Sequence, residues 1–258
     1  TLVIAFYKTE KPVKEGTVPA LSGAYKEMLL VVRQDAVREL IALLLTAKFA
    51  FAAADMVAEL RFLKAGLPKG DLATMTTLLM PLDLLLPGMF AKYTAGPKPF
   101  SVFVRAYPAR LLLGVLVAVL LWCAPRPFFG EGNARPIAFY AAFFVLLILR
   151  SVVSTSMFVS QMGLFAKVSD PRIGGTYMTM LNTVANLSFK WPASLIFYIV
   201  EWTTTDTLDG FYPTSMLCTI VGVVWLLATS KTADRLQSRP LSDWRVPMKE
   251  YTQVSNSA

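Results

Sequence analysis

Long apolar runs separated by short polar connections dominate the pattern of this chain. A helix needs roughly 20 mainly apolar residues to cross the hydrocarbon core of a bilayer. Combinations of glycine, proline and aspartate that end helices, such as GLPKGD and SDPRIGG, lie between the runs. The pattern therefore predicts an all-α membrane protein with six transmembrane helices, over residues 37–60, 72–91, 106–124, 137–159, 174–200 and 211–229.

The composition agrees with a membrane protein. Of the 258 residues, 55% are hydrophobic and 16% are charged, and the mean hydropathy is +0.53. A soluble domain of ordinary composition has about a quarter of its residues charged. The chain is therefore interpreted as an integral membrane protein, and its net charge of +8 is interpreted as a signal of topology and not of nucleic-acid binding.

Lysine and arginine are unevenly distributed over the connections. They concentrate before the first span, in the second and fourth connections and after the last span, and Arg110 is counted with the second connection. The last connection on the other side is acidic, with Glu201, Asp206 and Asp209. Because positive connections stay in the cytosol, the N-terminal segment and the C-terminus are both predicted to be cytosolic.

Three regions follow from this pattern. Residues 1–35 are interpreted as the end of a preceding helix plus a cytosolic linker, because TLVIAFYKTE resembles the last turns of an apolar helix. Residues 36–230 form the predicted six-helix bundle, and residues 231–258 form a cytosolic tail. An apolar stub, a linker and six spans are what the C-terminal half of a 6+6 transporter of the major facilitator type would show.

Charged residues inside the predicted spans are the first candidate functional groups. A charge at mid-bilayer costs at least about 2.5–3.5 kcal/mol, so such residues are expected to face the bundle interior or water. We therefore expect these groups to converge on one hydrated cavity. The charged residues are Lys48, Asp55, Asp83, Arg150 and Lys190.

A polar stripe in the fifth span is the second candidate. Thr176, Thr179, Thr183, Asn186 and Lys190 recur at steps of three and four residues, which places them on one side of a helix. Packing between helices through small polar residues would explain the threonines, but it does not require a lysine. A water-lined face fits better.

The helix ends and breaks around these residues are also predicted. Asp170 is the expected N-cap of the fifth span, with Pro171 at its first position. Asp83 lies between two prolines in MPLDLLLPG, which is typical of a broken helix; a hinge and a coupling site for protons or substrate remain open alternatives. For Lys48 and Asp55 the alternative is a structural ion pair, although two helical turns place them about 10 Å apart and call for a third partner.

The absence of histidine limits the chemistry of this sequence. No histidine can activate a nucleophile or bind a metal, and each of the two cysteines lies inside an apolar run without metal-ligand spacing. We therefore expect no catalytic residues, no metal and no cofactor.

Four stretches carry a resemblance to a known family. KVSDPRIGGTYMTMLNTVANL at 167–187, followed by Trp-Pro, is similar to the acetyl-coenzyme A transporter family, solute carrier family 33, within the major facilitator superfamily. LLLTAKFAFAAAD (43–55), KYTAGPKP (92–99) and RLLLGVLVAVLLW (110–122) resemble the family in the same order. Where the family is expected to have Gly-Gly-Asn before Trp-Pro, this chain has Ser-Phe-Lys, ending in Lys190.

The resemblance implies a carrier that moves acetyl-CoA from the cytosol into the lumen of the endoplasmic reticulum by alternating access. Because acetyl-CoA carries several phosphate charges, Lys48 and Arg150 are the expected phosphate contacts, with Lys190 as a further cation. Thr179, Thr183 and Asn186 are the expected polar lining, and Asp55 and Asp83 are expected to act in coupling or gating. A major-facilitator carrier of another anionic solute and a membrane scaffold without transport remain alternatives. A membrane-embedded acetyltransferase, the rival from another class, would have only the two buried acids as its general base.

Overall fold

The computed structural model describes residues 21–124 and 137–247, which are helical apart from short connections and contain no strand. The α-helices are α1 Leu21–Arg33, α2 Asp35–Ala47, α3 Ala52–Met56, α4 Ala58–Lys64, α5 Lys69–Thr94, α6 Ser101–Trp122, α7 Ile137–Val168, α8 Gly174–Thr203 and α9 Phe211–Ser238. Two 3-10 turns, Phe49–Phe51 and Leu241–Trp244, complete the described elements.

Five helical segments are long and apolar enough to cross a membrane. They are Asp35–Lys64, Lys69–Thr94, Ser101–Trp122, Ile137–Val168 and Phe211–Ser238. Helix α8, the fifth of the six predicted spans, is 30 residues long but falls below the hydropathy of the other five because of its threonine, asparagine and lysine residues. The all-α membrane class is confirmed, and five of the six predicted spans meet the criterion of length and composition.

The polarity of α8 is confined to one side. Its apolar side, with Tyr177, Leu181 and Ala185, is buried against the first span. The residues of the predicted stripe at 179, 183, 186 and 190 are exposed on the described bundle. The helix is therefore amphipathic, with its apolar side packed in the bundle and its polar stripe exposed on the described part of the chain.

A helix ahead of the first span, α1, has Leu30 and Val31 buried against the bundle. The apolar stub and most of the predicted linker lie outside the described residues. Helix α9 continues to Ser238, beyond the predicted end of the last span at 229, and the chain then folds back in the 3-10 turn Leu241–Trp244.

The first span is not the continuous helix that the sequence predicted. Helix α2 ends at Ala47, a 3-10 turn follows, and a second interruption lies at Val57 between α3 and α4. At the first interruption the backbone N–H of Phe51 donates to the carbonyl of Lys48, 3.1 Å away, three residues before it. The carbonyl of Ala47, four residues before Phe51, is thereby left to another donor.

Side chains from neighbouring helices bind the carbonyls at this break. The Tyr107 hydroxyl on α6 donates to the carbonyl of Ala47 at 2.8 Å, and the Trp191 indole on α8 donates to the carbonyl of Leu45 at 2.9 Å. The Trp225 indole on α9 donates to the Thr46 hydroxyl at 2.8 Å and stacks on Tyr107. Helices α6 and α8 thus supply donors to backbone carbonyls at the break, and α9 binds the side chain of Thr46 beside it.

Close packing against α9 holds the break in place. A Cβ added at Gly222 would lie 2.7 Å from Cβ of Ala50 and 2.5 Å from Cδ2 of Leu111. Neither distance is tolerated between carbon atoms, so only glycine lets α9 come this close to the 3-10 turn.

The prediction of a broken helix in the second span is wrong. Helix α5 runs without interruption from Lys69 to Thr94 and contains both Pro81 and Pro87. Each proline removes one backbone hydrogen bond, and the helix continues on either side. The break that the sequence placed around Asp83 lies instead in the first span, where no proline or glycine marks it.

The predicted N-cap of the fifth span is also wrong. Helix α8 begins at Gly174, with Ile173 as its N-cap. The Asp170 carboxylate accepts hydrogen bonds from the backbone N–H of Arg172 at 3.1 Å and from its guanidinium, so it closes a turn ahead of the helix. Hydrogen bonding to Arg172 holds the pKa of Asp170 below its ordinary value. This contribution to stability is complete above the ordinary carboxyl pKa and is lost as the pH falls through the lowered pKa.

One end of the bundle, called here the tail end, is tied together by polar contacts. Arg235 and Arg239 near the end of α9 both bind Glu39 on α2, and Lys98 binds Asp234 at 2.9 Å. Further bonds to the backbone join the α7–α8 connection to the chain that follows α9. They run from Lys167 to the carbonyl of Gln237 at 2.9 Å, from Arg172 to that of Val246 at 2.7 Å, and from Tyr177 to that of Trp244 at 3.0 Å.

We predict that Tyr107→Phe lowers the free energy of unfolding by about 1–3 kcal/mol, because the carbonyl of Ala47 would be left without a partner at a buried position. The measurement is thermal unfolding of the purified full-length protein in detergent. Tyr198→Phe is the matched control, since the Tyr198 side chain is 67% exposed. Equal unfolding temperatures for the two variants would contradict the role assigned to Tyr107.

Candidate functional site

One acidic and two basic side chains meet inside the helical bundle. Asp55 on α3 binds Nη2 of Arg110 on α6 through both carboxylate oxygens, at 2.8 and 3.0 Å. Nη2 of Arg150 on α7 lies 2.9 Å from Oδ1 of Asp55. Nη1 of Arg110 also donates to the backbone carbonyl of Arg150 at 3.2 Å. These three residues are called the charge cluster below.

The two arginines are held differently. The side chains of Asp55 and Arg110 are each 10% exposed, and the Arg110 guanidinium lies over the ring of Phe51. Arg150 is 32% exposed and contacts the carboxylate through one nitrogen. Arg110 is therefore the fixed partner of Asp55, and Arg150 is the more accessible one.

The charge cluster carries an excess of positive charge. Arginine is always protonated in proteins, so two guanidinium groups on one carboxylate leave a net charge of +1. Transfer of an unpaired charge out of water has a high free-energy cost. The arrangement therefore attracts anions into the bundle.

A pocket on the tail side of the cluster contains a third cation. This tail-side pocket has an empty volume of about 550 Å³, its open mouth included. Nζ of Lys48, at the break in the first span, donates to the carbonyl of Ala185 at 3.0 Å and thereby joins the break to α8. The polar residues that line the pocket are Lys48, Asp55, Arg110, Ser154 and Gln161, and Phe51, Phe103, Met157, Phe158 and Phe189 form its apolar wall.

A second, more enclosed pocket lies on the other side of the cluster and is called the inner pocket. Its cavity volume is about 20 Å³, room for roughly one water-sized particle, and it is bordered by the charge cluster and by α9. Ser215 and Thr219 of α9 line it. The Thr219 hydroxyl donates to the carbonyl of Ser215, whereas the buried Ser215 hydroxyl has no partner among the described residues.

Three of the predicted site residues lie around these two pockets. Lys48 and Asp55 line the tail-side pocket, and Arg150 lines the inner one. Lys48 and Asp55 are not bonded directly: Asp55 binds the arginines, and Lys48 binds a backbone carbonyl. Arg110 and Arg150 are the partners of Asp55, and neither of them joins Asp55 to Lys48.

The other predicted site residues lie elsewhere. Thr179, Thr183 and Asn186 are on the exposed face of α8, where the Thr183 hydroxyl donates to the carbonyl of Thr179 at 2.8 Å. Lys190 is exposed with its Nζ 5.8 Å from the ring centre of neighbouring Phe189. Asp83 is exposed on α5 and accepts a hydrogen bond from the Ser151 hydroxyl. The structure does not bring these residues to the charge cluster.

Arg110 is the residue that sequence reasoning placed wrongly. It was counted with the positive connection before the third span, but it lies within α6 and is buried. Its position four residues inside the predicted span 106–124 was a usable signal, because Asp55 lacked a partner. Arg110 therefore no longer counts among the basic residues of the second connection that support a cytosolic location of the C-terminus.

The fold and the charge cluster define a multi-pass membrane protein. The chain belongs to the acetyl-coenzyme A transporter 1 family, whose family model matches residues 2–124 and 100–208. The resemblance seen in the sequence is therefore confirmed.

Two curated relatives have similar sequences. An uncharacterized membrane protein of Saccharomyces cerevisiae is 24% identical over 86% of this chain and 49% of its own length. An uncharacterized protein of Schizosaccharomyces pombe is 24% identical over 89% of this chain and 48% of its own length. The chain thus spans about half the length of these relatives. No solved structure matches the chain.

We predict that Arg110→Gln lowers the free energy of unfolding by roughly 3 kcal/mol or more, because removal of a buried partner leaves Asp55 under-compensated. Arg150→Gln should have a smaller effect, since Asp55 would keep both bonds to Arg110 and position 150 is partly exposed. Thermal unfolding of the two purified variants, compared under one set of conditions, measures the difference. Equal losses would contradict the unequal roles of the two arginines.

Proposed function

We propose that this chain forms the C-terminal half of an alternating-access carrier for acetyl-CoA. Family membership supports the class and the substrate, and the positive charge cluster beside a pocket between helices is the observation that carries the mechanism. In this proposal α8 is the sixth crossing helix. Its polar face, which is exposed on the described bundle, borders the transport cavity.

Phosphate charge is the chemical feature that the site would recognise. Acetyl-CoA brings several phosphate charges, and lysine and arginine compensate the desolvation of such groups. Lys48, in the tail-side pocket, and Arg150, the accessible arginine of the cluster, are the proposed phosphate contacts. Lys190 would add charge at the edge of the cavity.

The polar face of α8 would complete the binding surface. Thr179, Thr183 and Asn186 offer hydroxyl and amide groups on one side of the helix, at the surface of the described bundle. The curated relatives are about twice as long as this chain. We therefore propose that a six-helix N-terminal half of the same polypeptide faces this surface and forms the other wall of the cavity, as in a 6+6 carrier of the major facilitator type.

The moving parts would be the break in the first span and the acids near it. Asp55 lies just beyond the break and holds two other helices through the arginines. We assign it to gating, and Asp83 to coupling through its contact with Ser151 on α7. The carrier would lie in the endoplasmic reticulum membrane with its basic tail end in the cytosol, and it would deliver acetyl-CoA to the lumen.

Uptake of labelled acetyl-CoA by the full-length protein in liposomes tests this proposal. Transport that unlabelled acetyl-CoA and CoA suppress would support it. No uptake of acetyl-CoA, together with uptake of a different anionic solute, would reject the substrate. The same liposomes without protein provide the background.

We predict that Lys48→Ala and Arg150→Ala each weaken the affinity for CoA by about tenfold or more, because a hydrogen bond to a charged group contributes about 1.5–3 kcal/mol. Titration of purified full-length protein with CoA measures the change. Lys92→Ala is the matched control, since Lys92 is an exposed lysine at the end of α5, beside Tyr93. If both test variants bind CoA as the control does while they unfold normally, the two cations are not phosphate contacts.

A further inference from the structure

The inner pocket is lined by an excess positive charge and by a buried hydroxyl without a hydrogen-bond partner among the described residues. The charge cluster, which borders it, has a net charge of +1 within the membrane-spanning part of the bundle. The Ser215 hydroxyl lines the same pocket, is 9% exposed as a residue and has no hydrogen-bond partner among the described residues. A buried donor without a partner costs about 1–3 kcal/mol, so both features call for the same kind of ligand.

We propose that the inner pocket binds a small monovalent anion, with chloride as the physiological candidate. Such an ion would accept a hydrogen bond from Ser215 and lie beside the guanidinium of Arg150, and it would reduce the net charge of the cluster to zero. An arginine side chain has five N–H donors. Only Nη2 of Arg150 lies near Asp55, so the other nitrogens of this guanidinium can donate to the ion.

The shape of the pocket distinguishes this ligand from the proposed substrate. The inner pocket lies beyond the Asp55–Arg110 pair when viewed from Lys48, and its other walls are apolar residues of α6 and the alanine-rich start of α3. Its enclosed volume of about 20 Å³ is too small for a phosphate group, which could reach Arg150 only at the exposed part of the guanidinium. A cation would be repelled by the two arginines. A single small anion satisfies both the size and the charge of the site.

The anion would have a structural consequence in addition to its charge. Ser215 belongs to α9, whereas Asp55, Arg110 and Arg150 belong to α3, α6 and α7. An ion between Ser215 and Arg150 therefore links the last helix to the cluster, to which no contact described above connects it. Stability of the bundle should depend on the anion.

Thermal unfolding of the purified full-length protein tests the site. The protein is heated in sodium chloride and in sodium gluconate at equal ionic strength, over a series of anion concentrations. Chloride should raise the midpoint in a saturable manner, as expected for a ligand that binds the folded state, and gluconate should not. Identical curves in the two salts would overturn the proposal.

Two variants test whether chloride stabilises the protein by binding in the inner pocket. Ser215→Ala removes the unpartnered hydroxyl with little change of shape, and we expect it to weaken chloride binding by about tenfold. Ser156→Ala is the matched control, because Ser156 is equally buried but its hydroxyl donates to the carbonyl of Val153. If Ser215→Ala keeps the full chloride response, chloride acts on the protein elsewhere or as a bulk salt, and the site is wrong.

A change in the opposite direction provides a second test. Asp55→Asn would raise the net charge of the cluster to +2, so the folded variant should bind chloride more tightly than the wild-type protein. A folded Asp55→Asn variant with weaker or absent chloride binding would contradict the charge argument. The proposal does not depend on acetyl-CoA transport, and failure of either one leaves the other standing.

Discussion

Compensation of charge in a medium without water is the constraint on which this structure depends. Asp55 lies between three helices and is neutralised by Arg110 through two hydrogen bonds, while Arg150 contributes a third contact. Removal of Asp55 or Arg110 leaves a buried ion without its main partner. The cluster therefore fixes the relative positions of α3, α6 and α7 more strictly than apolar contacts would, because apolar contacts have no preferred direction.

The same constraint acts on the backbone at the break in the first span. A helix interrupted at membrane depth exposes carbonyl groups, and these are tolerated only where other groups bind them. Tyr107, Trp191 and Trp225 combine large apolar rings with a single polar group, so each donates one hydrogen bond without bringing excess polarity into the bundle. The break and the charge cluster are separated by about two helical turns, and Lys48 and Asp55 mark their positions in the same span.

The helices themselves followed from the sequence, because length and hydropathy are local properties. The five intramembrane charges were also identified as a group, since their cost is set by the bilayer and not by their neighbours. Lys48, Asp55 and Arg150 lie around the two pockets, whereas Asp83 and Lys190 do not. The break at Lys48 was not visible, because its cause lies in donors that come from residues 107, 191 and 225. Conversely, Pro81 and Pro87 indicated a break that helix α5 does not have. Residues within a segment indicate where its helix can break. Contacts with residues distant in the sequence decide whether it does.

The contacts of Glu39 at the tail end have a consequence for motion. They join α2 to α9, because Arg235 and Arg239 at the C-terminal end of α9 both form ion pairs with Glu39. Separation of α2 and α9 at the tail end would require both ion pairs to break. At the opposite end Arg61 on α4 pairs with Asp209 just before α9, so the first span and the last helix are joined at both ends and should move together.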